Sequence, residues 1–200
     1  GVVERGYYAT GGQTNGEVWS PPQSLSARLG FRTQEHCVVY NLMRLAETLL
    51  RWTGDPGYAD YWERNLYNGI LAQQNPETGL IAYFLPLHAG ARKIWGSPTE
   101  DFWCCHGTLV QAHTIYANHI WYEQADGLTL AQFIPSELNT IVQGAAVAVR
   151  LTSDNQLNQP HRPHNQAYQL QVQCAVPLEM TLRIRIPWWV SGAVEVHIDG

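Results

Sequence analysis

The chain has 200 residues, is 45% hydrophobic and 14% charged, and carries a net charge of -5. That length allows one large domain or two small ones with an ordinary core, and the mildly acidic balance removes any electrostatic case for nucleic acid or an anionic membrane. Four cysteines, two of them adjacent, do not form the pattern of a secreted disulfide framework, so the thiols are read as reduced and the setting as cytoplasmic. The 8 Trp and 10 Tyr suit sugar rings as well as they suit a core.

The start, Gly1 to Tyr7, lacks the basic and apolar runs of a signal peptide. Both ends are expected to be cuts in a longer protein. Residues 1–33 are punctuated by Gly11-Gly12, Asn15-Gly16 and Pro21-Pro22 and read as a long loop. Within it Glu17, between Gly16 and Val18-Trp19, is either a desolvated general acid or a solvated loop carboxylate. A helix is expected from Thr33 or Gln34 to Gly54, with one face on Val38, Leu42, Leu45 and Leu49, widened by Val39, Met43, Ala46 and Leu50. A second runs from about Tyr58 to Gln73 on Trp62, Leu66 and Ile70, followed by a turn and a strand-like run, Leu80 to Leu85. A third spans Thr108 to Tyr122. Such wide apolar faces on three helices call for further helices from elsewhere.

From about Gly127 the period becomes alternating, in 128–133, 146–151, 168–174, 180–186 and 194–198. This predicts an antiparallel sandwich. The chain is therefore expected to divide into a helical part, 1–125, and an incomplete β-sandwich, 126–200. Cys174 falls in the sandwich, where a packed small hydrophobe is expected.

The chemistry concentrates in Glu35-His36-Cys37 and Cys104-Cys105-His106-Gly107. Three thiols and a carboxylate would fill a tetrahedral zinc site. Glu35 and Cys37, two apart, share one side only in extended backbone, so they belong just before a helix or in its first turn. Adjacent Cys104 and Cys105 would face opposite sides of a strand and need a bent backbone to share an ion. A closed structural site and a zinc-activated thiolate nucleophile both fit these residues. His36 should oppose its two neighbours, while His106 remains an alternative ligand or a substrate contact.

Several motifs occur in order: Glu35-x-Cys37, Thr53-Gly54-Asp55, Tyr58-Ala59-Asp60, Glu63 to Asn68, Phe102-Trp103-Cys104-Cys105, and Leu182 to Trp189. Together they resemble glycoside hydrolase family 127 and its relatives, a group once described as a domain of unknown function that includes β-L-arabinofuranosidases. The resemblance implies the C-terminal portion of a catalytic (α/α)6 toroid followed by an antiparallel β-sandwich. It implies an exo-acting, retaining hydrolase of arabinofuranoside-type glycans. Cys104 would be the nucleophile, zinc would be held by Glu35, Cys37, Cys104 and Cys105, and Glu17 in the Gly16-Glu17 step would be the acid/base. Tyr83 and His106 are expected to contact substrate, a homodimer is allowed for, and no nucleic-acid or membrane partner is expected. One departure matters: His106-Gly107-Thr108 follows the cysteine pair, where the best-matched arabinofuranosidases have two prolines and an asparagine. The competing reading is a non-catalytic carbohydrate-binding or structural protein with a structural zinc site.

Overall fold

The computed structural model describes residues 6–153 and 166–198, so His161 and His164 lie outside the described residues. The chain divides between Tyr116 and Ala117 into two compact units, the first mainly helical and the second mainly sheet. No helix among the described residues is long and apolar enough to cross a membrane.

The first unit opens with a hairpin of two short strands, β1 (Thr14–Asn15) and β2 (Val18–Trp19), paired antiparallel. Helix α1 spans His36–Thr53, with Glu35 as its extended N-cap and the Gly54 N–H closing its end on the Leu50 carbonyl. Helix α2 (Pro56–Asn65) starts directly behind it, because the Asp55 side chain accepts from Gly57 N–H and Pro56 occupies the first turn. The expected run to Gln73 is present, but it changes pitch to a π-turn at Leu66–Ile70 and a 3-10 turn at Leu71–Gln73. Trp62, Leu66 and Ile70 are all buried, as their spacing requires.

The buried face of α1 is not the first stripe read from the sequence. Val39, Tyr40, Met43 and Ala46 enter the core with α2 and with Cys105, Leu109 and Ala112, whereas Leu45 is 49% exposed. The two stripes are one residue apart and equally apolar, so only the neighbouring elements decide which is covered. Leu80 to Leu85 is not a continuous strand. It makes single bridges, Gln74 to Ile81, Ala82 to Trp95 and Glu35 to Phe84, that tie separate segments together.

Helix α3 spans Cys104–Ile115, four residues earlier than expected, and ends in a 3-10 turn at Tyr116–His119. Trp103 is its extended N-cap, and His106 Nδ1 accepts the Trp103 N–H at 3.0 Å. This side-chain acceptor for an otherwise orphaned amide lets the helix begin at the cysteine pair. Cys104 and Cys105 thus occupy the first helical turn rather than a bent strand.

The second unit holds two three-stranded sheets. In one, β3 (Trp121–Gln124) and β4 (Gly127–Leu130) form a hairpin, and β8 (Thr181–Ile184) pairs parallel to β4. In the other, β5 (Ser136–Val142), β6 (Ala145–Ser153) and β7 (Tyr168–Cys174) run antiparallel. The parallel β4–β8 pair departs from the all-antiparallel expectation, and β5 was not foreseen. Residues 194–198 alternate but form no strand, since nothing among the described residues pairs with them. Leu128 and Leu182 from one sheet and Val142, Val147, Val149 and Leu170 from the other share one apolar cluster. Cys174 is exposed rather than packed, because β7 ends with its side chains outside that cluster.

Candidate active site

The site is built on the start of two helices and the tip of one hairpin, all in the first unit. Gly16 (φ +61°) and Glu17 (φ +66°) are the two central residues of the β1–β2 hairpin, a turn requiring left-handed backbone at both positions. Glycine adopts this freely. Glutamate adopts it only at a cost in backbone strain. The Gly16 N–H donates to the Arg32 carbonyl at 2.9 Å and fixes the hairpin to the segment that leads into α1.

That segment is itself clamped. Gln34, wholly buried and also left-handed (φ +46°), accepts from the Thr10 hydroxyl (2.5 Å) and the Gly12 N–H (3.0 Å) and donates to the Thr10 carbonyl (2.8 Å). Asn68 donates to the Ala9 carbonyl and Tyr61 to the Gly11 carbonyl. At Gly69, in the π-turn, a Cβ would lie 2.5 Å from the Thr10 carbonyl, so only glycine permits this approach. The loop of residues 9–12 is thereby held between α2 and Gln34 on its way to the hairpin.

Glu35 and Cys37, at the N-cap and second residue of α1, meet Cys104 and Cys105, the first two residues of α3. Cys37 Sγ is 3.5 Å from Cys104 Sγ and 3.7 Å from Glu35 Oε1, and the two sulfurs of the pair are 4.0 Å apart. The ligating atoms of Cys37, Cys104 and Cys105 all lie within 4.8 Å of one another. Sulfurs bound to zinc at about 2.3 Å in a tetrahedron would be about 3.8 Å apart, and a sulfur and a carboxylate oxygen about 3.5 Å apart. The donor set and its spacing therefore fit a thiophilic cation. Proximity to the Cys105 sulfur, then burial and the Glu35 carboxylate, push the Cys37 thiol far above its ordinary range. A divalent cation would reverse that by compensating the crowded negative charge.

Tyr83 links the parts. Its hydroxyl donates to Glu17 Oε1 at 2.8 Å, lies 3.2 Å from Glu35 Oε1, and accepts from Cys104 Sγ at 3.5 Å. Burial, the contacts with Cys104 and Glu17, and the charge of Glu35 all raise its pKa, so it remains a protonated donor. Trp103 packs edge-on against the Tyr83 ring at 5.4 Å and fixes its orientation.

Glu17 and Tyr83 line an open cleft of about 540 Å³ together with Phe31, Arg32, Phe84, Pro86, Arg92, Ile94 and Trp103. His106, by contrast, lines a separate cavity of about 370 Å³ with Gln74, Asp101, Phe102 and His113. His36 is wholly buried and lies outside the sulfur group; burial, with His113 nearby, lowers its pKa to about 4 and keeps it neutral. Gln34, Arg32 and Phe84 were not anticipated. The paired glycines at 11–12 were a signal of close packing, but nothing local announced that Gln34 would fill the space.

A family model described as β-L-arabinofuranosidase, GH127 catalytic domain, matches residues 1–118. The chain belongs to glycoside hydrolase family 127. No match was found among the curated proteins. Of solved structures, the chain is similar to a GH127 β-L-arabinofuranosidase from Geobacillus stearothermophilus T6, with 24% identity, a TM-score of 0.75, and coverage of 96% of this chain and 31% of that one. It is similar also to a GH127 β-arabinofuranosidase (18% identity, TM-score 0.70, 92% and 27%). A third, a glycoside hydrolase, has 19% identity and a TM-score of 0.61, with 80% and 27% covered. These likenesses establish a shared fold, and the chain spans less than a third of the length of each solved family 127 relative.

Proposed function

We propose that this protein is a retaining glycoside hydrolase, β-L-arabinofuranosidase-like, in which Cys104 is the nucleophile and Glu17 the acid/base. The observation that carries the reading is the Tyr83 hydroxyl, which touches Glu17, Glu35 and Cys104 at once beside the cleft. One hydroxyl bridging acid and sulfur supports the close spacing of a double displacement, as opposed to the wider gap that seats a water in an inverting site. Glu35, Cys37, Cys104 and Cys105 would hold zinc, which when bound keeps the thiols deprotonated at neutral pH.

In the first step the Cys104 sulfur bonds to the anomeric carbon as the bond to the leaving oxygen breaks, and Glu17 gives that oxygen its proton. In the second, Glu17 takes a proton from water, whose oxygen displaces the sulfur. Tyr83 holds Glu17 towards the reacting bond, and the position of Cys104 in the first turn of α3 places its charge at the positive end of the helix. In this reading the helical unit is part of an (α/α)6 toroid, the two sheets are an incomplete β-sandwich, and the substrate is an arabinofuranoside-type glycan.

The test is metal content together with hydrolysis of an aryl β-L-arabinofuranoside, on the full-length protein and on Cys104→Ser. One zinc per chain, with turnover that falls by on the order of 10⁴-fold or more in the variant, supports the thiolate mechanism. Zinc without hydrolysis of any arabinofuranoside would leave a structural metal centre. Turnover that survives in Cys104→Ser would refute the nucleophile.

A further inference from the structure

Two arginines line the cleft beside Glu17 in a chain whose net charge is -5. The charged side chains lining it are one carboxylate, Glu17, and two guanidiniums, Arg32 and Arg92. Glu17 accepts from the Tyr83 hydroxyl, with Glu35 behind it. No carboxylate of the described residues lies in an ion pair with either arginine.

Arg32 is a fixed feature of the wall. Its guanidinium carbon sits 5.0 Å from the centre of the Phe84 ring, and its carbonyl accepts the Gly16 N–H of the turn that presents Glu17. Phe84 in turn bridges to Glu35 and packs against Tyr83 at 4.6 Å. Arg32 is thereby joined through the backbone to the acid and through a ring to the residues around the thiols. A guanidinium stacked on an aromatic face keeps its edge N–H groups free for a planar acceptor. Arg92 comes from a different segment; its neighbour Lys93 turns away to the Ala72 carbonyl and the Trp95 ring, leaving Arg92 on the cleft.

We propose that this cleft selects an acidic glycan, with Arg32 and Arg92 binding an oxyanion (a carboxylate or a sulfate) on the sugar being cleaved or on the residue to which it is joined. Two guanidiniums on a mostly aromatic and aliphatic lining offer paired N–H donors to an oxyanion, which ring hydroxyls alone do not call for. This proposal rests on the glycosidase reading of the same site.

The full-length protein is tested on uronate-bearing oligosaccharides and on the same oligosaccharides after carboxyl reduction, with a sulfated set as a third arm. Sugar release and calorimetric binding are both measured, for wild type, Arg32→Gln and Arg92→Gln. The expected result is tighter binding and faster release for the uronate set than for the reduced set, with that preference falling about tenfold in each variant, the scale of one charge-assisted hydrogen bond. Preference for the sulfated set over the uronate set would assign the oxyanion to sulfate. Equal binding of acidic and reduced sets, or a preference unchanged in both variants, overturns the proposal even if an aryl arabinofuranoside is hydrolysed. If nothing is hydrolysed, the glycosidase reading fails while the binding arm still decides the charge selectivity.

Discussion

The two units bury different things. The sheet unit closes on aliphatic side chains, Leu128, Val142, Val147 and Val149, with Arg185, Gln132 and His119 as its buried polar groups among the described residues. The helical unit also has an apolar core, but along its site it buries Gln13, Thr14, Thr33, Gln34, Glu35, His36, Asn65 and Gln73. Burying polar groups costs free energy unless each is satisfied, and the His36 ring has no hydrogen-bond partner among the described residues. Gln34 satisfies three partners and in doing so fixes the approach to the Glu17 hairpin. The sheet unit needs volume filled; the helical unit needs atoms placed.

The sharpest way to break this contrast is Cys37→Ser. It should abolish stoichiometric metal binding and reduce turnover by on the order of 10⁴-fold or more, with elemental analysis and kinetics as the readouts. Retained metal with full activity would sever the sulfur cluster from function. Leu128→Ala should do the reverse, costing about 2–5 kcal/mol of stability by opening a cavity while leaving metal content intact. Denaturant melts beside metal analysis would check it, and a loss of metal would show that the two regions are coupled.

Tyr83→Phe removes one oxygen from the hub and should lower kcat by about 10- to 100-fold with little change in melting temperature. Unchanged kcat would reduce Tyr83 to a wall of the cleft. The smallest effect is expected on the sheet surface, where Arg183 donates twice to Asp126 at 2.8 and 2.9 Å. The Arg183 contact draws the Asp126 pKa down to about 2, below its ordinary 3.8. A depressed carboxylate stabilises the fold above the unfolded-state value and loses that contribution as pH falls through the folded one. Asp126→Asn should therefore be slightly less stable than wild type at pH 6, and the gap should close between about pH 4 and pH 2. For so exposed a pair the gap is small; one that widens on acidification would contradict the sign.

The change from a helical to an alternating pattern was legible in the sequence alone, because periods of 3.6 and 2 are local properties of the chain. The sequence also placed Glu35 and Cys37 at a helix start, since residues two apart share a side in extended backbone but not within a regular helix, and a helical period follows them; its ordered motifs pointed to family 127. It could not choose between the two apolar stripes of α1, nor foresee that β4 and β8 would pair in parallel across 50 residues of intervening chain (181 − 131). It misplaced the start of α3, because the acceptor that releases the helix at Cys104 is the His106 ring folding back on Trp103. The meeting of Glu17, Tyr83 and Cys104 was likewise beyond spacing rules. Three segments far apart in the chain converge on one hydroxyl, and contacts of that range are decided by packing in three dimensions.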